Sequence, residues 1–270
     1  MPLALLRDNI NIFYISRYSP NPKSSQTIVL IHGAGGNHLS MIPLWDYIKK
    51  NHGDSFNMVV FDLPFHFRSM GDQTPEDFVH GKENYCEIIN ALLEKMQCGT
   101  SGIVLIGHSM GAQICLKFAS MFPKKTAKVL MIAGCYKTGI TDRFIKSLEK
   151  SFEKTISLFL SDAYGSRDEN IIGKALADIK RSTPKSVIND FKFVRDFTGI
   201  NKIVSKINLN NLFFDIAYTE NDRIIDADCV RELGGMIDKA RLTKVDSKNH
   251  MDIILKDIML SGEIDNFLLT

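Results

Sequence analysis

The chain has 270 residues, 44% of them hydrophobic and 24% charged, and a formal net charge of +2. That length buries a substantial core as one large domain with an insertion, and the composition is that of an ordinary soluble globular protein. Near-balanced charge with no Lys and Arg run interleaved with aromatics excludes a nucleic-acid footprint, and no stretch approaches the ~20 apolar residues of a membrane span.

The five cysteines, Cys86, Cys98, Cys115, Cys135 and Cys229, are odd in number, scattered and without a C-x-x-C pair. This argues against a disulfide scaffold and a zinc site, and for a reducing, cytoplasmic compartment. The apolar run Leu3 to Leu6 is too short for a signal segment and has no basic residue before it.

Leu3 to Leu6 and Ile10 to Ile15 flank the turn Arg7-Asp8-Asn9, which predicts an antiparallel hairpin at a sheet edge. Ser19 to Ser25 is a loop. Thr27-Ile-Val-Leu-Ile31 reads as a buried strand running into the Gly-rich His32-Gly-Ala-Gly-Gly-Asn37, followed by a helix from about Met41 to Lys50. The glycine loop has neither the G-K-[ST] of a P-loop nor a clean G-x-G-x-x-G, so a phosphate cradle is a weak reading. The alternative is an oxyanion loop in which the Ala34 N–H is one donor. Met58 to Phe61 is a further strand ending at Asp62-Leu-Pro-Phe-His-Phe-Arg-Ser-Met-Gly71. After a loop through Pro75, the spacing of Val79, Tyr85, Ile88, Ile89, Leu92, Leu93 and Met96 predicts a helix.

Ile103-Val-Leu-Ile-Gly-His-Ser-Met-Gly111 is the stretch around which the chain is organised. Four apolar residues read as a strand buried on both faces, and the helix-period run Ile114, Phe118, Met121 starts directly behind it. The pattern G-x-S-x-G between them suits a strained turn that exposes the Ser109 hydroxyl. Gly107 and Gly111 leave room for that turn, and the Met110 N–H at the new helix terminus becomes an oxyanion donor.

Ala127 to Ala133 is another strand, and the strand–helix alternation implies a parallel, doubly wound sheet. From about Thr138 to Ile207 the alternation stops. Phe144, Leu148, Phe152, Ile156 and Leu160 recur every four residues along one helix face, and shorter helical patterns follow near Ile171 to Arg181 and Lys185 to Phe197. The expectation is a core of residues 1–137 and 208–270 with a helical lid over 138–207. In that lid Phe144, Leu148 and Phe152 either pack on the core or roof an acyl pocket. The alternation then resumes with strand Leu212 to Tyr218, loop Thr219 to Ile225, helix Asp226 to Ile237, strand Ala240 to Val245 and a closing helix Met251 to Leu269. His250 stands between that last strand and helix.

With these residues in view, the chain resembles the α/β-hydrolase superfamily from end to end. The resemblance rests on His32-Gly33, Asp62-Leu-Pro, Gly107-His108-Ser-Met-Gly111, an acid after the seventh strand and His250 after the eighth, in the chain order Ser, Asp, His. It implies an eight-stranded sheet with a helical lid after strand six, and an activity like that of the small bacterial ester hydrolases, which include carrier-protein methyl ester esterases and thioesterases. Two departures stand out. Phe65 and Phe67 occupy positions where such enzymes usually have glycines, and are expected to narrow the pocket entrance; Thr219 and Arg223 replace the usual Gly and Pro around the acid.

Of seven histidines, His250 fits the base by its place at the C-terminal edge of the sheet. Asp222 is the expected acid, with Asp226, a natural helix N-cap, in reserve. In the implied mechanism His250 deprotonates Ser109, the alkoxide attacks an ester or thioester, Ala34 and Met110 stabilise the oxyanion, and no cofactor or metal is needed. A non-hydrolytic ligand receptor, an acyltransferase or a carbon–carbon bond hydrolase could use the same residues. Seven basic residues and two acidic ones between Lys180 and Lys206 fit either a solvated face or a basic rim that steers an acidic acyl carrier protein or a substrate with a free carboxylate.

Overall fold

The computed structural model describes residues 3–6, 9–21, 26–71, 85–98, 102–207, 212–255 and 260–270. The turn residues Arg7 and Asp8, the end of the Ser19 to Ser25 loop, and the segment holding Pro75, Val79 and His80 lie outside the described residues.

Eight strands form one sheet: β1 (Leu3–Leu5), β2 (Asn11–Arg17), β3 (Thr27–Ile31), β4 (Asn57–Phe61), β5 (Ile103–His108), β6 (Thr126–Ile132), β7 (Phe213–Tyr218) and β8 (Arg241–Lys244). Their order is β1-β2-β4-β3-β5-β6-β7-β8. The pairs β1–β2 and β2–β4 are antiparallel, and every pair from β4 to β8 is parallel. Each residue of β3 and β5 is buried, which explains why these strands read as unbroken apolar runs: a parallel strand is covered by helices on both faces. On one face lie α1 (Ile42–His52), α10 (Asp252–Leu255) and α11 (Ser261–Leu269); on the other lie α2 (Tyr85–Lys95), α3 (Met110–Met121) and α9 (Ala227–Met236).

Between β6 and β7 stand five helices: α4 (Asp142–Lys150), α5 (Phe152–Ala163), α6 (Glu169–Ile179), α7 (Pro184–Arg195) and α8 (Ile200–Val204). Short polar residues start three of them, since Thr141, Asp168 and Thr183 accept hydrogen bonds from the backbone N–H of Phe144, Asn170 and Ser186. The four-residue spacing from Phe144 to Leu160 spans two helices and not one, because the chain leaves helical geometry at Ser151 (φ −150°, ψ 69°). The period survives the break because Leu148, Ile156 and Leu160 enter the same small core, together with Val187 and Phe191.

One expectation from cysteine usage is corrected. Cys135 and Cys229, 94 residues apart, form a disulfide. Spacing along the chain gave no sign of it because the adjacency is tertiary: β6 and β7 are neighbours, so the segment after β6 meets the helix after β7. The argument from cysteines to a reducing compartment therefore loses its footing. Cys86, Cys98 and Cys115 are buried thiols outside any disulfide. Among the described residues no helix is long and apolar enough to cross a membrane.

Candidate active site

Ser109 sits between β5 and α3 with φ 54° and ψ −117°, a region that a residue with a side chain enters only at a cost of order 1–3 kcal/mol. The surroundings hold it there: its N–H donates to Ile132 O (2.9 Å) and its carbonyl accepts from Ala112 N–H (3.0 Å). A Cβ on Gly107 would overlap the backbone of Gly111, and one on Gly111 would overlap the carbonyls of Ile31 and His32. The elbow glycines are thus required by close approach, and the turn aims Ser109 into a cavity of about 190 Å³. Ala34, Met110 and His250 line the same cavity.

His250 is almost fully buried, and its Nδ1–H donates to Asp222 Oδ2 at 2.7 Å. The other carboxylate oxygen accepts from the N–H groups of Ile224 (2.7 Å) and Ile225 (3.0 Å). Burial would raise the Asp222 pKa, but the hydrogen bond and charge of His250 and these two amides outweigh it and hold the carboxyl below its ordinary value. Thr219, in place of the usual glycine, donates through its hydroxyl to Ser247 O (2.7 Å) and ties the acid loop to the loop carrying His250. Asp226 caps α9 by accepting from Asp228 N–H (2.8 Å), and Asp246 is exposed.

A His–Asp pair alone does not single out His250. His38 with Asp62 (2.7 Å), His52 with Asp265 (2.6 Å) and His66 with Asp190 (2.7 Å) are equally close, but none of these three histidines lines the cavity over Ser109. His108 packs against His250 with ring centroids 4.7 Å apart and the rings tilted by 47°, and directs Nε2 at the His250 carbonyl (3.1 Å). Burial, and then the neighbouring His250, push the His108 pKa down to about 3. His32 is pushed down to about 4 by burial and His66. Its Nε2 accepts from Leu63 N–H (3.0 Å), so the Nδ1–H faces Gly33 O (2.8 Å).

The glycine loop after β3 turns at Gly33 to Gly36, closed by Gly36 N–H to Gly33 O (3.0 Å) with Gly35 at φ +67°. That sign of φ calls for glycine at the third turn position. Met110 is the first residue of α3, so its N–H has no acceptor within the helix.

The sequence reading missed a buried cluster behind this loop. Asp190 of α7 is wholly buried and accepts from Gly35 N–H (2.7 Å), His66 Nε2–H (2.7 Å) and Tyr85 O–H (2.7 Å). Both His66 nitrogens face oxygen acceptors, Asp190 and Pro64 O. Burial lowers the His66 pKa, but the Asp190 charge and hydrogen bond reverse that and the net shift is upward. The available signal was an acid three residues after Val187 and one before Phe191, on the buried stripe of its helix. Gln113 was also missed. Its Nε2 donates to Cys135 O (2.9 Å), leaving Oε1 buried without a protein partner at the cavity wall.

The expected pocket residues are corrected. Phe65, Phe67, Leu148 and Phe152 do not line the cavity over Ser109; Phe159, Leu160, Ile179 and Phe191 from the insertion do. Leu148 is fully buried in the insertion's own core, and Phe152 packs against that core. Phe144 lines a neighbouring groove. Phe65 and Phe67 adopt φ of 64° and 42°, so the left-handed geometry suited to glycine persists with aromatic residues in it. The Phe67 N–H donates to Ser182 Oγ (3.1 Å) and the Phe65 carbonyl accepts from Ser186 Oγ (2.9 Å). The Phe67 ring stacks on His38 beneath Arg181. These aromatics anchor the insertion to the sheet.

The basic run from Lys180 to Lys206 is partly neutralised on the spot. Lys180 pairs with Glu153, Arg181 with Asp178, Lys192 with Glu149, and Arg195 with Asp142 and Asp196.

This combination of sheet order, serine elbow and acid and histidine loops defines the alpha/beta hydrolase fold. The chain belongs to that family, whose model matches residues 26–257. It is 28% identical over 127 residues to the "Uncharacterized hydrolase YugF" of Bacillus subtilis, a match covering 47% of this chain and 42% of the relative, so it spans under half of that protein's length. In structure it is similar to the enol-lactonase from Burkholderia xenovorans (TM-score 0.82, 13% identity, 100% of both chains). It is also similar to an esterase from Exiguobacterium antarcticum (TM-score 0.82, 14% identity, 99% of both chains). At such identities the structural likeness establishes the fold.

Proposed function

We propose that the chain is a serine hydrolase that cleaves a carboxylic ester or thioester through an acyl-enzyme. The observation that carries this reading is the convergence on one cavity of a strained, half-buried serine, a histidine hydrogen-bonded to a buried carboxylate, and two backbone N–H groups at tight turns. In this mechanism His250 Nε2 takes the Ser109 proton, and Ser109 Oγ adds to the carbonyl carbon. Ala34 and Met110 N–H groups bind the oxyanion, and His250 returns the proton to the leaving alcohol or thiol. Water then repeats the sequence on the acyl-enzyme to release the acid. Asp222 fixes the imidazole tautomer and favours its charged form. Residues 138–207 act as a lid on the core formed by 1–137 and 208–270, and the small apolar cavity suits a short to medium acyl group.

The test is a screen of p-nitrophenyl esters and acyl thioesters over chain length, with an alcohol acceptor added in parallel. Release of free acid that requires Ser109 supports hydrolysis. Esters formed with the added alcohol identify a transferase, and a lasting acyl adduct without turnover identifies a receptor.

A further inference from the structure

Four cations without a partner among the described residues lie in one place. Arg143 and Lys150 of α4, Lys154 of α5 and Arg223 of the acid loop line a single groove of about 700 Å³. Among the described residues none of the four makes an ion pair or a side-chain hydrogen bond, although acids stand close to them in the sequence. The reason is visible in the pairing: Asp142, Glu149 and Glu153 are engaged by Arg195, Lys192 and Lys180. Among the described residues the only acid lining the groove is Asp162, against four cations, a formal excess of three positive charges.

The groove is also apolar beneath its rim. Phe144 and Leu158 line it, and Leu158 is 63% exposed, a large apolar side chain left in water. Ile140, Phe159 and Ile224 line both this groove and the cavity over Ser109, so the two adjoin across one apolar wall. Arg223 replaces the residue usual at its position in such enzymes, and its place in the groove gives that departure a role.

We propose that this groove binds the far end of the substrate, and that the substrate is a half-ester of a dicarboxylic acid whose free carboxylate lies among these four cations. This rests on the hydrolase reading above. The ester carbonyl sits at Ser109, an apolar spacer crosses the wall of Ile140, Phe159 and Ile224, and the anion meets the basic rim. Clefts lined by one sign of charge focus the field and raise the local concentration of an oppositely charged substrate. The chemistry is unchanged: water supplies the oxygen and proton that replace the alcohol, and the distal carboxylate takes no part in bond making.

The experiment compares monomethyl and dimethyl esters of adipic and suberic acid, as substrates of the full chain and of Lys150→Glu/Lys154→Glu. Neither lysine touches the triad. The native protein is expected to favour the half-ester about tenfold in kcat/KM at low ionic strength, and to lose most of that preference near 0.5 M salt. The double variant should lose the preference in dilute buffer. Equal kcat/KM for half-ester and diester in the native protein, or a preference that survives in the double variant, overturns the proposal. If neither ester is turned over, the hydrolase reading is what fails. The groove is then decided by calorimetric binding of monomethyl adipate to Ser109→Ala: binding that Lys150→Glu/Lys154→Glu abolishes supports it, and no binding, or binding that the double variant leaves intact, refutes it.

Discussion

Asp190 gives the sharpest perturbation of the oxyanion loop from outside it. Replacing it with Ala removes the acceptor of three buried donors at once: Gly35 N–H, the His66 ring N–H and Tyr85 O–H. Each buried donor left unmade costs about 1–3 kcal/mol, and because His66 relieves part of its share by shedding a proton, the expected total is about 3–6 kcal/mol. Asp190→Asn keeps a carbonyl acceptor, and the Tyr85 hydroxyl can turn to accept from the new amide, so its cost is about 1–3 kcal/mol.

The two variants should also separate in catalysis. Ala34 keeps its N–H, but the neighbouring Gly35 anchor is gone. Losing one oxyanion donor outright costs ~10²–10³ in kcat, so loosening one should cost about 10–10² in Asp190→Ala and less than about tenfold in Asp190→Asn. The assay is kcat per site titrated with a fluorophosphonate, which counts only folded, reactive enzyme, alongside thermal melting. A folded Asp190→Ala with native kcat per titrated site would refute the coupling of α7 to the oxyanion loop.

Asp222→Asn should lower kcat by about 10⁴, because the wrong histidine tautomer is favoured, whereas Asp226→Asn keeps an oxygen to accept from Asp228 N–H at the α9 cap and should leave kcat near native; the reverse ranking in steady-state kinetics would reassign the acid. Stability should fall as pH drops from 7 to 5. His108 and His32, held down to about 3 and about 4 when folded, take up protons in the unfolded chain below about 6.5, which costs about 2 kcal/mol each at pH 5. His66 opposes them, since its raised pKa contributes stability that is complete below the unfolded value and is lost as pH rises through the folded one. Melting of His108→Gln should therefore lose about 4 °C less than the native protein between pH 7 and pH 5, and equal losses would contradict the assignment.

The sheet was legible because its signals are local. Fully buried strands such as Ile103 to His108 show as unbroken apolar runs, and the elbow glycines sit at spacings that backbone contact demands. Asp222 was preferred to Asp226 because it follows a strand while Asp226 opens a helix, and in the structure it is Asp222 that lies against His250 Nδ1. What stayed hidden was tertiary. The spacing of Phe144, Leu148 and Phe152 gives the buried face of the insertion but not which surface it meets, and they face the insertion's own core while Phe159 and Phe191 reach the cavity. The Cys135–Cys229 bond depends on β6 and β7 being neighbours. The charge excess from Lys180 to Lys206 counted residues without their partners: Lys180, Arg181, Lys192 and Arg195 are paired, while Arg143, Lys150, Lys154 and Arg223 gather at one groove.

The measurement that bears most directly on the account is the site of covalent capture. The intact protein is treated with a fluorophosphonate and mapped by peptide mass spectrometry. The account predicts a single adduct on Ser109, absent in Ser109→Ala and slowed by about 10³ or more in His250→Ala. An adduct on another residue, or one that persists undiminished in Ser109→Ala, would contradict it.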